Sequence, residues 1–125
     1  LRHYIVEYFE SLNIQLNLSV PDVISEISIN GKIRRNILLS VKEALHNIVK
    51  HSQATTVDVQ FVVNDCFIIT ITDNGTGFNP GMHKSHGNGL HNMKERLNVI
   101  GGSCAIINNG GTSIVFKVQL SNYPL

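Results

Sequence analysis

Hydrophobic residues recur along this chain with two distinct spacings, which divide the sequence into eight predicted elements. Spacings of three and four residues predict three helices, at about residues 2–12, 32–51 and 88–100. Alternation of apolar and polar residues predicts five strands, at residues 14–20, 55–63, 66–72, 103–108 and 113–120. The predicted order is therefore helix, strand, helix, strand, strand, helix, strand, strand.

This order of elements predicts a single sheet with helices packed on one of its faces, an α/β two-layer sandwich. The long central helix carries one wide apolar face, formed by Ile33, Ile37, Val41, Ala44, Leu45 and Ile48. Gly101 and Gly102 follow the last helix, where a C-capping glycine is expected. We interpret residues 1–12 as a linker-like helix that precedes one domain, residues 13–125.

Composition fits one globular domain. The chain has 125 residues, of which 42% are hydrophobic and 15% are charged. A formal net charge of +1 gives no electrostatic case for binding nucleic acid. No apolar run approaches the roughly 18 residues of a membrane span, and no signal peptide is recognisable. The sequence enters a helical pattern directly at Leu1, and we interpret it as a piece of a longer protein.

The two cysteines, Cys66 and Cys104, lie in apolar runs and have no metal-ligand pattern around them. This placement predicts reduced core residues rather than a disulfide framework or a zinc site.

The segment that follows the strand at residues 66–72 carries the clearest chemical signal. By the two-residue period of a strand, Asp73 falls on the same face as the strand's apolar residues. A carboxylate there needs a partner, because burying it alone is costly. Gly75 and Gly77 allow backbone to approach a flat ligand closely, and a base with an exocyclic amine would suit the carboxylate. The alternative is an ordinary Asp-Asn-Gly hairpin turn.

The long helix carries a polar stripe of different chemistry. Glu43, Asn47 and Lys50 are spaced so that they share one side of the helix, which we predict to lie roughly opposite the apolar face. A carboxylate, a carboxamide oxygen and an ammonium group suit a hydrated Mg²⁺ beside a polyphosphate. The alternative is a solvated helix face with an ordinary Glu–Lys pattern.

A third segment, Gly87-Asn88-Gly89-Leu90, stands at the start of the last helix. Free backbone N–H groups at a helix start bind phosphate well, and glycines permit the close approach. The segment is not a Rossmann fingerprint, because it follows a loop and Asn92 occupies the position of the third glycine. The sequence contains no P-loop motif.

Taken in order, these segments resemble the ATP-binding domain of the gyrase, Hsp90, histidine kinase and MutL superfamily. Within it the chain most resembles the catalytic domain of sensor histidine kinases of the NarX and DesK-like group. KEALHNIVKHSQA resembles the N box of that group, DNGTGF its G1 box and GNGLHNMKERLNVIGG its G2 region. The resemblance covers about residues 30–120 and implies a Bergerat-type fold with a mixed sheet.

The resemblance implies ATP and Mg²⁺ as cofactors and assigns roles to the residues of the N box. Asn47 would ligate Mg²⁺, and Glu43 would hold a magnesium-bound water or assist proton transfer. Lys50 and His51 would contact phosphate.

Further roles follow from the other two boxes. Asp73 would accept a hydrogen bond from the adenine amine, and Gly75 and Gly77 would line the base. Residues 78–88 would form the ATP lid. The cofactor-binding residues at its end would be Gly87, Asn88, Gly89 and Leu90, with the two glycines meeting the phosphates.

The last hairpin would contribute Thr112, which would support the adenine end of the site. The chain departs from the family pattern here, because Asn109 replaces the first glycine of the usual G-x-G-T. No F box is visible and the lid is short, and both features fit the subgroup. We interpret His83, His86 and His91, in or near the lid, as exposed loop residues, with a metal trio as the alternative.

For the whole protein, the resemblance implies transfer of the ATP γ-phosphoryl group to a histidine. That histidine would lie on a separate dimerisation domain upstream of this chain. The implied partners are that domain and a response regulator, within a homodimer whose catalytic domain is cytoplasmic and whose full-length chain is anchored in the inner membrane. The alternatives are a degenerate nucleotide-binding regulatory module and a serine kinase of the anti-sigma-factor type.

Overall fold

The computed structural model describes residues 2–10, 12–20, 31–51, 53–63, 66–75, 89–109 and 111–119. Within these residues the elements follow the predicted order, and each end lies within two residues of its predicted position. The helices are α1 (Arg2–Glu10), α2 (Gly31–His51) and α3 (Gly89–Val99). The strands are β1 (Gln15–Ser19), β2 (Thr56–Val63), β3 (Cys66–Asp73), β4 (Gly102–Asn109) and β5 (Gly111–Gln119).

The strands form one mixed sheet in the order β1-β2-β3-β5-β4. β1 pairs with β2 in parallel, and the other three pairings are antiparallel. The parallel pair requires a crossover connection, and α2 lies within it. The prediction of an α/β fold with a mixed sheet is confirmed.

A single apolar core lies between the helices and one face of the sheet. In β2, β3 and β5 every second residue is buried, as a strand with one covered face requires. From these strands the core receives Val57, Val59, Phe61, Phe67, Ile69, Ile71, Ile114, Phe116 and Val118. From α2 and α3 it receives Ile33, Ile37, Val41, Ala44, Leu45, Ile48, Met93 and Leu97.

The first helix packs into this same core. Ile5 is fully buried and Phe9 is nearly so. The ammonium group of Lys42, on α2, lies 4.9 Å from the ring centre of Tyr4, which ties α1 to α2 by a cation–π contact. α1 therefore contributes to the packing of the domain, and its service as a link to an upstream segment stays a prediction.

The end of α3 shows why two glycines stand there. Gly101 has a φ of 74°, a left-handed conformation that L side chains rarely adopt. A Cβ on Gly102 would lie 2.6 Å from the carbonyl oxygen of Lys117, so β4 can enter the sheet only with glycine at this position. The predicted C-cap is confirmed.

Both cysteines are free, but only one of them packs on the core. Cys104 contacts the core and burial raises the pKa of its thiol to about 11, which keeps it protonated and unreactive at neutral pH. The prediction that Cys66 is a core residue is wrong, because β3 begins there with its first side chain on the opposite face. Among the described helices, none has the length and apolar character to cross a membrane.

Candidate functional site

The strand directions bring several candidate residues to one end of the sheet, which we call the Asp73 end. β2 begins at Thr56, and the antiparallel β3 ends beside it at Asp73. β5 begins at the same end, with Thr112 directly opposite Asp73. α2 ends at His51, five residues before β2 begins, so the carboxyl end of α2 is held near this end of the sheet.

The third helix begins on the side of the Asp73 end. α3 leads into β4 through Ile100 and Gly101 and packs against that strand. β4 ends at Asn109, which pairs with Gly111 at the start of β5. Gly89, the first residue of α3, therefore begins the helix on the side of the Asp73 end, as the predicted phosphate segment requires.

Asp73 is a buried carboxylate whose two oxygens have different environments. The residue is only 4% exposed. Its Oδ1 atom accepts a hydrogen bond of 2.7 Å from the backbone N–H of Gly75. Its Oδ2 atom is buried and has no hydrogen-bond partner among the described residues. An acceptor left in this state costs free energy unless an external donor reaches it.

The surroundings of Asp73 change its acidity. Burial raises the pKa of the carboxyl group above its ordinary value of 3.8. The nearby backbone N–H groups of Gly75 and Thr112 act in the opposite direction and lower the pKa, but they do not cancel this rise. Such a carboxylate gains from a donor that satisfies Oδ2, because the donor replaces the lost hydration.

The backbone approaches closely on the β5 side of Asp73. A Cβ added to Gly111 would collide with the carbonyl oxygen of Asp73, so only glycine fits at this position. Thr112 is buried beside it and paired with Asp73 in the sheet. The departure at Asn109 therefore leaves intact the glycine that this contact needs.

Asn74 links the end of β3 to the beginning of β2. Its Oδ1 atom accepts hydrogen bonds of 2.9 Å each from the backbone N–H groups of Thr55 and Thr56. Its Nδ2 group donates to the hydroxyl of Thr55 at 2.8 Å, and its own N–H donates to the carbonyl of Thr56 at 3.2 Å. We call these four hydrogen bonds the Asn74 clasp.

The hairpin-turn alternative for Asp73 and Asn74 is wrong. β3 pairs with β2, which precedes it, and with β5, which lies far ahead in the sequence. Neither pairing is closed by a turn at these two residues. No local sequence pattern predicts the clasp, because its partners are 18 and 19 residues away from Asn74.

On α2, the structure corrects the prediction for Asn47. The residue is only 8% exposed, and its buried Nδ2 atom has no hydrogen-bond partner in the described part of the chain. Ala44 and Ile48 beside it are fully buried, so Asn47 lies at the margin of the apolar face rather than on a polar stripe opposite to it. Glu43 is half-buried and Lys50 is exposed, as a polar stripe predicts.

These two side chains of α2 fit a hard cation. Glu43 and Asn47 are one helical turn apart, and carboxylate and carboxamide oxygens are the ligands that Mg²⁺ prefers. Rotation of the Asn47 side chain exchanges its amide oxygen and nitrogen, so the unpartnered position can present an oxygen to a cation. Within the residues that the structure describes, no group of three His, Cys, Asp or Glu side chains is gathered for a metal.

The model of the histidine kinase-, DNA gyrase B- and HSP90-like ATPase family matches residues 32–122. The chain belongs to this family. A structural likeness agrees with the match: the ATP-binding domain of PrrB from Mycobacterium tuberculosis superposes with a TM-score of 0.67 at 25% identity, over 94% of this chain and 86% of that domain. The histidine kinase domain of the blue-light activated kinase EL346 from Erythrobacter litoralis superposes with a TM-score of 0.77 at 19% identity, over 96% of this chain and 58% of that one.

Similar sequences include the sensor histidine kinases LiaS and DesK and the sensor protein VraS. DesK of Bacillus subtilis is 39% identical over 89 residues, which are 69% of this chain and 24% of DesK. VraS of Staphylococcus aureus is 34% identical over 122 residues, which are 92% of this chain and 35% of VraS. The chain thus spans about a third or less of the relatives that it matches. The predicted resemblance to the ATP-binding domain of sensor histidine kinases is confirmed.

Several predicted contributors to the family's ATP site cannot be placed in this structure. Outside the described residues lie Gly77, the lid at 78–88 with His83 and His86, and the segment residues Gly87 and Asn88. The same holds for the side chains of His51, Leu90 and His91. Their roles stay predictions.

Proposed function

We propose that this chain is the ATP-binding catalytic domain of a two-component sensor histidine kinase. The observation that carries the proposal is the buried carboxylate of Asp73, whose Oδ2 atom has no partner among the described residues. It stands at the end of the sheet where β3, β5 and the carboxyl end of α2 come together.

In this proposal, Asp73 accepts a hydrogen bond from the base of the nucleotide. The exocyclic amine of adenine is a donor and satisfies Oδ2, whereas the carbonyl of guanine at the same position is an acceptor and would repel it. Gly75 is fixed by its hydrogen bond to Oδ1 and has no side chain that would obstruct a flat ring approaching the carboxylate. The close backbone contact at Gly111 holds the start of β5 against Asp73. Thr112, buried next to Asp73, supports this end of the site.

The phosphates lie between α2 and the start of α3. Asn47 and Glu43 hold Mg²⁺, directly or through a bound water, and the exposed ammonium of Lys50 neutralises phosphate charge. When bound, the cation supplies charge neutralisation and orientation for the polyphosphate. The free N–H groups at Gly89, together with Gly87 and Asn88, bind phosphate oxygens, and His51 and Leu90 complete the cofactor-binding set.

The reaction breaks the bond between the γ-phosphorus and the β,γ-bridging oxygen of ATP and forms a phosphorus–nitrogen bond to a histidine. ADP leaves, and the proton of the imidazole nitrogen is released, with Glu43 in place to assist. Phosphoryl transfer depends chiefly on positioning and charge neutralisation, which this domain supplies.

The acceptor histidine belongs to a dimerisation domain of the same protein, upstream of this chain. The phosphoryl group then passes to a response regulator. From the resemblance to the sensor histidine kinase family, we place the domain in the cytoplasm, in a homodimer whose full-length chain is anchored in the inner membrane.

Calorimetric titration of the chain with Mg-ATP and Mg-GTP tests the adenine contact. We expect ATP to bind at least about ten-fold more tightly, because a charge-assisted hydrogen bond is worth roughly 1.5–3 kcal/mol. Equal affinities for the two nucleotides would contradict the assignment of Asp73.

A further inference from the structure

Asn74 occupies the position between the two residues that define the predicted base contact. On one side is Asp73, and on the other is Gly75, whose N–H binds Asp73 Oδ1 at 2.7 Å. The Asn74 clasp fixes the residue between them to Thr55 and Thr56 by four hydrogen bonds. The side chain of Asn74 itself is exposed, so these bonds do not serve to satisfy a buried amide.

The clasp limits how the carboxylate of Asp73 can turn. Sheet pairing with Val57 and Thr112 fixes the backbone up to Asp73 and ends there. Beyond it, the position of the Gly75 N–H depends on the conformation of residue 74. If that N–H moved, Oδ1 would lose its partner, and the carboxylate could rotate so that neither oxygen kept a defined direction.

The clasp also connects the two halves of the predicted site. Thr55 and Thr56 follow α2 after a short connection in which Gln53 adopts a left-handed φ of 56°. Three of the four hydrogen bonds engage backbone groups of this connection and of the start of β2. A short stretch of chain joins the carboxyl end of α2, which carries Asn47, to Thr55 and Thr56. The clasp in turn joins these two threonines to Asn74, the residue that follows Asp73.

We propose that Asn74 is a positioning residue that sets the direction of the Asp73 carboxylate and thereby the selectivity of the site for a base with an exocyclic amine. This inference rests on the proposed function, in which Asp73 accepts a hydrogen bond from adenine. Asn74 does not contact the base in this account; it acts only through Asp73 and Gly75.

The chain offers matched variants for a test. Asn74→Ala removes the side-chain hydrogen bonds of the clasp. Asn74→Asp keeps an oxygen for the N–H groups of Thr55 and Thr56, and the Thr55 hydroxyl can reverse and donate to the new carboxylate. Asn17→Ala is the control, because Asn17 is another exposed asparagine that joins two strands, by a hydrogen bond of 2.7 Å to Asp58.

The measurement is the affinity ratio between ATP and purine riboside triphosphate, which lacks the exocyclic amine, with folding checked by thermal unfolding. For the wild-type chain and for Asn17→Ala we expect ATP to be favoured about ten-fold. For Asn74→Ala we expect the preference to fall below about three-fold, and for Asn74→Asp to recover most of it. Loss of stability alone lowers both affinities together and leaves their ratio unchanged.

The possible outcomes separate the two proposals. A wild-type chain that binds both nucleotides equally would overturn the adenine contact, and with it the role of Asn74. A wild-type chain that prefers ATP, together with a folded Asn74→Ala variant of unchanged preference, would overturn only the role of Asn74. A reduced preference that Asn74→Asp restores would support it.

Discussion

At the scale of single residues, the site is built at a cost in stability. Asp73 is buried, one of its oxygens has no partner in the described part of the chain, and burial raises the pKa of its carboxyl group above 3.8. A buried charge that lacks a partner opposes folding, and a ligand that supplies the missing donor relieves the cost. Natural sites retain such residues because the function needs them.

The raised pKa of Asp73 predicts a pH-dependent difference in stability between the wild-type chain and Asp73→Asn. As pH rises above 3.8, the unfolded chain releases this proton before the folded chain does. The contribution of Asp73 to the folding stability of the wild type therefore falls over the window from 3.8 up through the raised pKa, and then stays level. Asparagine at position 73 does not titrate, so the variant does not lose stability over this window.

We therefore expect Asp73→Asn to melt a few degrees higher than the wild type at pH 7, since about 1 kcal/mol corresponds to roughly 4 °C in a domain of this size. The difference should shrink as the pH is lowered toward 4. Thermal unfolding of both proteins across this range checks it. A variant that is less stable than the wild type by the same amount at every pH would contradict the account.

At the scale of elements, α2 links the core to the predicted metal site. Its apolar face packs on the sheet, and Asn47 lies at the margin of that face, 8% exposed. Position 47 therefore contributes to the packing of the helix in addition to the metal-binding role that we propose for it, and the spacing of polar residues alone does not reveal this packing.

Replacing Asn47 by leucine should remove the magnesium dependence of ATP binding while the helix persists. Leucine is a good helix former, and the margin of an apolar face can accept it. Asn36→Leu is the control. Asn36 is an asparagine of the same helix, and its side-chain amide donates a hydrogen bond of 2.8 Å to the backbone carbonyl of Lys32. Titration of ATP with and without magnesium checks the prediction. A folded Asn47→Leu variant with wild-type magnesium dependence would remove Asn47 from the metal site.

The first helix offers a second test at this scale. Ile5 is fully buried in the core, whereas the adjacent Val6 is 40% exposed. We expect Ile5→Ala to lower the free energy of unfolding by about 2–4 kcal/mol through loss of burial and the cavity left behind. Val6→Ala should change it by about 0.5 kcal/mol or less. Denaturant unfolding checks both, and equal small effects would show that α1 is only a linker.

The sequence predicted the elements well because their apolar patterns are long and regular. β3 alternates over its whole length, and α2 keeps its apolar face for about four turns, from Ile33 to Ile48. The same patterns predicted that Asp73 is buried. They could not predict the environment of Asn47, because a residue at the margin of a face is buried or exposed according to which element packs beside it.

The features that escaped prediction depend on contacts distant in sequence. The Asn74 clasp joins residues 18 and 19 positions apart, and the need for glycine at position 111 comes from the backbone of Asp73. The apolar neighbours of Cys66 predict a core position, but the alternation that buries Phe67 turns Cys66 to the other face of the sheet. Contacts of this kind depend on which strands lie side by side, and the local spacing of apolar residues does not determine that.

At the scale of the whole molecule, the fold brings the buried carboxylate of Asp73 and the carboxyl end of α2 to one end of a single sheet. One core unites α1, α2, α3 and the sheet, so the geometry of the Asp73 end is set by the packing of the entire domain. The family match over residues 32–122 includes β2, β3, β4, β5 and α3 and nearly all of α2, whereas β1, which also begins at this end beside β2, precedes it.

The central claim is that Asp73 binds the adenine base of ATP. Its most direct test is calorimetric titration of Mg-ATP into the wild-type chain, Asp73→Asn and the control Asp58→Asn, which neutralises an exposed carboxylate on the same sheet. We predict that Asp73→Asn weakens ATP binding about ten-fold or more, although the variant stays folded, and that Asp58→Asn binds like the wild type. Unchanged ATP affinity in a folded Asp73→Asn variant would contradict the claim.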